Sequence, residues 1–395
     1  AEAQGMETMA YADMMAEKHK AVWDGIGIGY TDFIRTTEPR HRELVQWVLQ
    51  KAFDNGDIYE WVYEGLYCVG CEAFKKESDL ITQDGKLICP DHPNKPLEEL
   101  KEKNYFFKLS KYQERLLQFY EDHPDFITPE NRYREVKEFV KSWLDDFSIS
   151  RETNKFGIPL PFDTEQVTYV WYDALFNYVT VCGDEIEKWW PADLHVIGKD
   201  IVRFHAIYWP AMLWSAGYDA PKQLLVTGHF TVDGQKMSKT LWNVIDPVQY
   251  IEQYSRDMLV LYLFCGFPIG EDGDFDRQEA LLQYNAKLSN NLWNLLNRSL
   301  TLALKLEWGK VGSYEESTIA GKRDDYLSRY VWHMQVYDLK GALDSSFAFA
   351  TELNQYIDTM KPWKLDTSLE SDRILLDQIL STIMIGLAHL AYNLS

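Results

Sequence analysis

Residues 194–209 read LHVIGKDIVRFHAIYW and change from a strand pattern to a helical one. The first of them, Leu194–Ile197, form a short apolar strand, and the helical pattern begins at Asp200. The same change occurs after Gln166–Val170, and Leu224–Val232 is a further strand pattern. Strands that alternate with helices predict an α/β fold with a parallel sheet.

The rest of the chain divides by pattern into helical and strand-rich regions. Two helical stretches occupy residues 1–55, and short aromatic strands and turns fill residues 58–100. Amphipathic helical patterns follow over residues 101–147. After residue 278 the strand pattern ends and helical periodicity continues, which predicts a separate all-α bundle.

The composition excludes several classes of protein. The chain has 395 residues and a formal net charge of −21, with 46% apolar and 14% aromatic residues. These proportions are unlike those of a disordered or fibrous chain. No apolar run approaches the roughly 20 residues needed to span a bilayer, so we expect no membrane partner. The acidic balance argues against a surface that coats nucleic acid but permits a local patch for one RNA.

The N-terminus and the cysteine content indicate the compartment. The first residues lack the basic start and apolar run of a signal peptide. Five cysteines are too few for a disulfide scaffold in a chain of this length. We therefore expect a reducing, cytoplasmic location. The sequence does not indicate an oligomeric state.

Three cysteines and one histidine have the spacing of a metal site. Cys68 and Cys71 form one x2-spaced pair, and Cys89 and His92 form a second. A single such pair is often a redox pair or a coincidence, but two pairs at this separation favour tetrahedral Zn²⁺. Four protein ligands leave no open position on the metal, so the predicted zinc is structural.

A lysine-rich loop follows the strand that ends at residue 232. It begins at Asp233-Gly234 and contains Lys236-Met237-Ser238-Lys239. Two flexible ammonium groups on such a loop can reach a polyphosphate and stabilise charge that develops in a transition state. Most pairs of lysines at a turn are solvated surface, so the spacing alone leaves both interpretations open.

A set of aromatic residues recurs at helical spacing and predicts a pocket. Its members share helix faces and lie near one carboxylate, that of Asp200; they are Trp171, Ala174, Tyr178, His205 and Trp209. An aromatic cavity with a carboxylate at its rim suits a small apolar amino acid. Aromatic stripes are more often ordinary core, and the pattern alone does not exclude that alternative.

Several longer segments, taken together, resemble the methionyl-tRNA synthetases, a family of class I aminoacyl-tRNA synthetases. They occur in the family's order and span most of the chain: EGLYCVGCEAF, YFFKLSKY, SISRETNKFGIPLPFD, TYVWYDALFNY, WPADLHVIGKDIVRFHAIYWPAML, DGQKMSKT, DGDFD, NLWNLLNRS and KPWKL. The lysine loop resembles the KMSKS loop of class I enzymes. The resemblance implies a ligase that activates methionine with ATP and transfers it to tRNA(Met).

The resemblance also implies roles for individual residues in the activation step. Methionine would be bound by Trp171, Ala174, Tyr178, Asp200, His205 and Trp209, with Asp200 holding its ammonium group. ATP, with Mg²⁺, would be bound by Arg151, Lys236, Ser238 and Lys239. Of these, Lys236 and Lys239 would be catalytic.

The helical region after residue 278 resembles the family's anticodon-binding bundle. Asn290, Asn294 and Arg298 recur every four residues and are predicted to share one helix face. The resemblance implies that Asn294 and Arg298 hydrogen-bond the anticodon bases and that Trp363 stacks on one of them. Splayed single-stranded bases are read in this way.

The resemblance predicts the following segments. They are a helical end of the first half of the catalytic domain at 1–57, an insertion with the zinc knuckle at 58–135, the second half of a Rossmann-like catalytic domain at 136–224, the lysine-loop region at 225–277 and a truncated anticodon-binding bundle at 278–395. The predicted fold class is thus α/β, a Rossmann-like parallel sheet followed by an all-α bundle.

Three departures from the family pattern leave alternatives open. Thr240 and Trp242 replace the family's usual serine and glycine, and the chain contains no His-x-Gly-His motif. We therefore expect a synthetase without its first half-sheet, either a fragment or one part of a split enzyme. The alternatives are a noncatalytic tRNA-binding remnant and a class I synthetase for another apolar amino acid.

Overall fold

A computed structural model describes residues 1, 4–68, 73–75, 79–83, 86–90, 92–93, 95–152, 156–237, 243–306 and 310–394. The chain divides into two compact units. The middle unit is Tyr30–Val226, and the terminal unit combines Ala1–Gly29 with Thr227–Ser395. Each unit is considered by itself below.

The helices and strands have the following bounds. The α-helices are α1 Thr8–Ile26, α2 Pro39–Asp54, α3 Gln113–Asp122, α4 Glu130–Ser142, α5 Val170–Ala174, α6 Asn177–Thr180, α7 Ile186–Trp189, α8 Trp209–Ala216, α9 Pro247–Gln253, α10 Arg256–Cys265, α11 Arg277–Tyr284, α12 Asn294–Ala303, α13 Ser317–Gln335, α14 Leu339–Met360 and α15 Glu370–Asn393. The strands are β1 Ile58–Cys68, β2 Ala73–Lys75, β3 Ile81–Gln83, β4 Lys86–Ile88, β5 Leu97–Phe107, β6 Ile127–Thr128, β7 Phe147–Ser148, β8 Ser150–Arg151, β9 Val167–Thr168, β10 His195–Gly198, β11 Leu224–Thr227, β12 Phe230–Val232, β13 Gln235–Lys236 and β14 Gly273–Asp274. Two π-helical turns, Phe204–Tyr208 and Asn285–Trp293, interrupt this pattern.

The central sheet of the middle unit has the order β10-β11-β6. Strands β11 and β6 are parallel, with Leu224 paired to Ile127. This arrangement confirms the mixed α/β class. The predicted strand Leu224–Val232 is divided, however, because the chain leaves this sheet after Thr227 and β12 pairs with β14 in the terminal unit. Strand β6 lies within the segment 58–135, whose predicted bounds, like those of the other segments, remain predictions.

A long antiparallel ribbon replaces the short strands expected over residues 58–100. Strands β1 and β5 pair without a break from Ile58 opposite Phe107 to Cys68 opposite Leu97. The residues of β1 are rich in aromatic and β-branched side chains, which favour extended backbone. The strong pairing of two elements far apart in sequence explains why the local pattern underestimated their length.

Helices surround the central sheet and form the core of the middle unit. Helix α2 contributes Val45, Val48 and Leu49, all fully buried, on one of its faces. Helix α8 is buried almost all round, and its first residue, Trp209, has no exposed surface. A helix that is apolar on every face is typical of a core element.

The terminal unit contains a small sheet and a helical bundle. Helices were predicted for the region after residue 278, and the bundle lies there. The sheet has the order β13-β12-β14, and the bundle packs α12, α13, α14 and α15 around shared apolar residues. Helix α15 is long and apolar enough to cross a membrane, with a mean hydropathy of 1.7. Several of its apolar residues, including Ile379 and Ile383, are fully buried in the bundle, as in a core helix, whereas Ile374 is 52% exposed.

Candidate functional site

The predicted pocket residues lie on four neighbouring elements of the middle unit. Trp171 and Ala174 are on α5, Tyr178 is on α6, His205 is in the first π-helical turn and Trp209 begins α8. The helix predicted from residue 171 ends at Ala174, and a new one begins at Asn177. The structure brings the rings of Tyr178, His205 and Trp209 together, as the following contacts show.

A hydrogen bond joins the side chains of Tyr178 and His205. Their Oη and Nε2 atoms are 2.9 Å apart, and His205 Nδ1 lies 3.0 Å from the carbonyl oxygen of Ile201. Because a carbonyl can only accept, Nδ1 carries the proton and Nε2 accepts from the tyrosine hydroxyl. Burial lowers the pKa of His205 and raises that of Tyr178, so both side chains are neutral.

Aromatic rings flank this pair, and a second ring pair lies on α5 and the first π-helical turn. The ring centroid of Trp209 lies 6.1 Å from that of Tyr178 and 5.0 Å from that of Phe176. Trp171 stacks on Phe204 with a centroid separation of 3.9 Å and an interplanar angle of 11°. Phe204 was not among the predicted pocket residues, although its place next to His205 in the same motif was a signal that could have found it.

A second histidine was also missed by sequence reasoning. The ring centroid of His195 lies 4.1 Å from that of Tyr178 and 6.3 Å from that of His205. Burial, and then the neighbouring His205, lowers the pKa of His195 to about 3, so its ring is neutral. The imidazole therefore acts as an uncharged part of the wall.

Asp200 lies directly after the carboxyl end of β10. It is in a 3₁₀ turn, Lys199–Ile201, and its side chain is exposed. In open α/β sheets, ligands bind beyond the carboxyl ends of the strands. The position of Asp200 is therefore compatible with the predicted rim of the pocket.

Arg151 is held on a strand next to the pocket elements. It is on β8, which pairs with β9, and β9 leads directly into α5. Its Nη1 atom donates to Ser148 Oγ at 3.1 Å and to the Ser150 carbonyl at 2.9 Å. The guanidinium also lies 4.2 Å from the ring centroid of Tyr169. These contacts hold the permanently charged guanidinium beside Tyr169, the residue that precedes α5.

The lysine loop continues from a tight β-hairpin, β12–β13, in the terminal unit. Asp233 and Gly234 connect β12 to β13 with positive φ angles of 53° and 69°, as a two-residue type I′ turn requires. Asp274 accepts from Thr231 Oγ1 at 2.7 Å and from the Gly234 N–H at 2.8 Å.

The backbone of Lys236 belongs to this hairpin, opposite Thr231. Its side chain and the residues Ser238, Lys239, Thr240 and Trp242 lie outside the described residues. The predicted roles of Lys236, Ser238 and Lys239 in ATP binding therefore remain predictions.

The predicted anticodon residues Arg298 and Trp363 come together in the terminal unit. The guanidinium of Arg298 lies 5.7 Å from the ring centroid of Trp363, whose side chain is 45% exposed. Arg298 also forms an ion pair of 2.5 Å with Asp358. Asn294 is exposed at the first residue of α12. A cation beside an exposed aromatic ring can bind an unstacked base.

One of the asparagines predicted to share a helix face, Asn290, lies in the π-helical turn Asn285–Trp293. Asn291, which was not predicted, accepts at its side-chain oxygen from Asn354 Nδ2 at 3.0 Å and donates to the Phe347 carbonyl at 3.0 Å. Asn354 Oδ1 in turn lies 3.4 Å from Arg298 Nη1. Asn291 is thus linked to Arg298 through Asn354, and the shared face of Asn290, Asn294 and Arg298 stays a prediction.

Three of the four predicted metal ligands converge at the end of the β1–β5 ribbon. The ligand atoms of Cys68, Cys89 and His92 all lie within 4.8 Å of one another, and both cysteines are fully buried. Cys71 lies outside the described residues. Two thiols and one imidazole at this separation have the donor chemistry that Zn²⁺ requires.

The chain is similar to known proteins over most of its length. The family model described as tRNA synthetases class I (M) matches residues 1–300. Methionine–tRNA ligases from Thermosynechococcus vestitus and Thermotoga maritima are 42% and 39% identical to this chain, over 92% and 95% of its length. The chain spans 71% and 61% of the lengths of those two relatives.

A solved structure shows the same fold. The structure of Mycobacterium tuberculosis methionyl-tRNA synthetase in complex with methionyl-adenylate has a TM-score of 0.94 and 34% sequence identity, and the match covers 100% of this chain and 79% of that one. The fold and the matched family model together define a class I tRNA synthetase. Within that class, the chain belongs to the methionyl-tRNA synthetase family, whose members are ATP-dependent methionine–tRNA ligases.

Proposed function

We propose that this chain binds methionine against the aromatic wall of the middle unit, as part of a methionine–tRNA ligase. The observation that carries the proposal is the partly buried hydrogen bond between Tyr178 and His205, flanked by Trp209. Aromatic faces make favourable contacts with a thioether, and a neutral wall excludes charged side chains. Trp171 and Ala174 would complete the pocket from α5, and Asp200 would pair with the ammonium group.

The reaction would proceed in two steps. The methionine carboxylate attacks the α-phosphate of ATP, which gives methionyl-adenylate and releases pyrophosphate. A terminal ribose hydroxyl of tRNA(Met) then attacks the acyl carbon and displaces AMP. The proposed contributions of the protein are positioning and electrostatic stabilisation of the phosphates, and the candidate residues are Arg151, Lys236 and Lys239. Mg²⁺ would accompany ATP, and Ser238 would contact the nucleotide.

Tests of the methionine pocket use a pair of tryptophans in the same unit. Trp171→Ala should weaken methionine binding at least about tenfold, since it removes a large ring from the proposed wall. Trp189→Ala is the control because that side chain is 55% exposed on α7. Equilibrium dialysis with labelled methionine measures both. Unchanged affinity in the Trp171 variant would show that the pocket lies elsewhere.

Methionine-dependent exchange of pyrophosphate into ATP separates the enzyme from a noncatalytic RNA-binding protein. Exchange by this chain, lost when Arg151 is replaced by alanine, is the expected result. Binding of tRNA without any exchange would support the binding-only alternative. The names of both sequence relatives favour methionine over other apolar amino acids as the substrate.

We also propose that the terminal unit reads the anticodon of tRNA(Met) with Asn294, Arg298 and Trp363. The proximity of the Arg298 guanidinium to an exposed indole ring supports this role. Arg298→Ala should reduce binding of tRNA(Met) by about ten- to hundredfold. Arg329→Ala is a matched control, because Arg329 is an exposed arginine whose ion pair with Asp325 lies along its own helix. Equal loss in both variants would indicate nonspecific attraction to phosphate.

Three finer features complete the proposal. The central sheet is the second half of a Rossmann-like catalytic domain, which the parallel pairing of β11 with β6 supports. Cys68, Cys71, Cys89 and His92 hold a structural Zn²⁺, which the convergence of the three described ligands supports. The proposed compartment is the cytoplasm, in line with the similarity to methionine–tRNA ligases.

A further inference from the structure

Helix α5 carries two proposed methionine contacts but is very short. It spans Val170–Ala174, five residues. An isolated helix of that length has almost no stability of its own, so tertiary contacts must determine its orientation. Contacts that fix α5, such as the packing of the fully buried Tyr172 against Phe107, therefore also fix where Trp171 and Ala174 lie.

Asp173 is a buried acid on α5 that has no part in the proposed reaction. It is 8% exposed, and its Oδ2 atom accepts a hydrogen bond of 2.9 Å from Thr168 Oγ1. Residues 171 and 174 are three apart and share a face, whereas residue 173 is about 200° around the helix from residue 171. The carboxyl group therefore holds α5 from the side opposite the proposed pocket.

Thr168 is itself held firmly by its surroundings. It is 5% exposed on β9, where it pairs with Ser150 of β8, and its N–H donates to the Ile158 carbonyl at 2.8 Å. A hydroxyl on a paired strand is a rigid attachment point for a five-residue helix. The same two strands carry Arg151, so one hydrogen bond connects α5 to the strand pair that bears the proposed ATP contact.

Burial of the Asp173 carboxyl group costs free energy of folding, which suggests that the group has a role. Desolvation raises the pKa of Asp173 to about 7, although the bond from Thr168 opposes the shift. An apolar residue at this position would avoid that cost. A hydrogen bond with defined direction sets the rotation of the helix, which an apolar contact does not.

We propose that Asp173 is a positioning residue that sets the rotation of α5 on β9 and thereby places Trp171 and Ala174 for methionine. This inference rests on the proposed function, since it takes those two residues as methionine contacts. Asp173 does not touch the substrate; it acts through the helix.

Removal of either partner tests the proposal. Asp173→Ala and Thr168→Val should each weaken methionine binding by about tenfold, because each abolishes the hydrogen bond. ATP binding, measured separately, should change less than about twofold, since Arg151 stays on its own strand. General loosening of the fold would weaken both ligands alike. The double variant should bind methionine no worse than the weaker single variant, since both remove one interaction.

Conservative variants supply the rescue. Asp173→Asn keeps an oxygen that accepts from Thr168, and Thr168→Ser keeps the donating hydroxyl. Both should bind methionine within about threefold of the parent chain. Equilibrium dialysis with labelled methionine, and with labelled ATP, gives all of these affinities, and urea unfolding shows which variants remain folded.

The outcomes separate this inference from the function on which it rests. A parent chain that binds no methionine would overturn both. A parent chain that binds methionine while Asp173→Ala and Thr168→Val bind it equally well would overturn only the positioning role. Failure of Asp173→Asn to restore affinity would also contradict it, because the retained acceptor would then have no effect.

Discussion

Asp57 is a buried carboxylate with a partner at each of its two oxygens. Its carboxyl group accepts hydrogen bonds of 2.8 Å from both Tyr112 Oη and Ser215 Oγ, and Lys111 pairs with its other oxygen. The Asp57 side chain is 2% exposed. These donors come from elements far apart in sequence, so the carboxylate joins them at one point.

Replacement of Asp57 should be strongly destabilising. Asp57→Ala leaves two hydroxyls and an ammonium without their acceptor, and we expect a loss of about 3 kcal/mol in the free energy of unfolding. Asp193→Ala is the control, since Asp193 also pairs with a lysine, Lys222, but is 88% exposed. Its loss should stay within about 0.5 kcal/mol. Urea unfolding of both variants measures the difference, and equal effects would contradict the role assigned to burial.

His195 should make the fold sensitive to acid. The unfolded chain takes up a proton on this imidazole near pH 6.5, whereas in the folded state burial holds its pKa at about 3. The unfolded state therefore binds more protons in that window, so the stability present above pH 6.5 is lost as the pH falls toward 3.

The variant His195→Gln removes this titration. Between pH 6.5 and pH 4 the free energy of unfolding of the parent chain should fall by about 3 kcal/mol more than that of the variant. Part of the acid sensitivity will remain, because burial also lowers the pKa of His41 to about 4. Urea titrations at several pH values test this, and parallel curves for the two proteins would refute it.

At the scale of elements, the lysine-loop hairpin depends on a close approach of two backbones. A Cβ atom on Gly228 would lie 1.9 Å from the carbonyl oxygen of Glu271. Next to it, the Gly273 N–H donates to the His229 carbonyl at 3.0 Å, and β12 pairs with β14. Only a glycine allows this pairing, because any side chain would push the two segments apart.

Gly228→Ala should separate β12 from β14 and cost about 2 kcal/mol, the scale of overpacking that forces the backbone to move. Gly321→Ala on α13 is the matched control, since its added methyl meets nothing within 4 Å. That change should be neutral or should stabilise the chain by up to about 1 kcal/mol. Thermal unfolding monitored by circular dichroism compares them. A Gly228 variant as stable as the control would show that the close approach is not required.

The end of the β1–β5 ribbon should depend on metal. Within the described residues its apolar cluster is small, with Cys68, Leu80 and Cys89 buried and Leu66 and Leu97 packed against them, so we expect the metal to contribute to its stability. Cys89→Ser should lower bound zinc from about one equivalent to a small fraction of it, whereas Cys182→Ser, at a cysteine remote from the cluster in sequence, should leave it unchanged. Elemental analysis decides the question, and a parent chain without zinc would remove the knuckle.

The elements also show where local pattern succeeds and where it does not. The strand at His195–Gly198 and the helices after residue 278 were predicted, because each has a regular apolar period over its own residues. The β1–β5 ribbon was predicted as shorter strands. Its length depends on pairing between residues far apart in sequence, such as Ile58 with Phe107, which local pattern does not show. The π-helical turns were not predicted, since nothing in residue spacing distinguishes them from α-helix.

At the scale of the whole molecule, the middle unit is one continuous segment with its own core. The core joins α2, α3, α4 and α8 to the central sheet. The fragment 30–226 should therefore fold alone, with a cooperative urea transition and the far-ultraviolet spectrum of a mixed α/β protein. A fragment that unfolds without a cooperative transition would show that residues outside this segment are needed.

Only some residues of the candidate site could be predicted from the sequence, because sequence spacing does not show which side chains meet after folding. Trp171, Tyr178, His205 and Trp209 were recognised because they belong to contiguous motifs. Phe204, His195 and Asp173 were missed, since their roles depend on ring contacts or on a hydrogen bond that spacing does not reveal. The anticodon candidates Arg298 and Trp363 were predicted from separate motifs, and their proximity emerged only in the structure.

Residue types at characteristic spacings were enough to identify the family and the α/β-plus-bundle class. Those properties depend on short motifs and local periodicity, which the chain carries whatever its conformation. The tertiary structure alone decided which nitrogen of His205 bears its proton, which oxygen of Asp173 is held by Thr168 and how far each strand extends. Each of these depends on contacts between residues brought together by folding, where burial and direction set the energy.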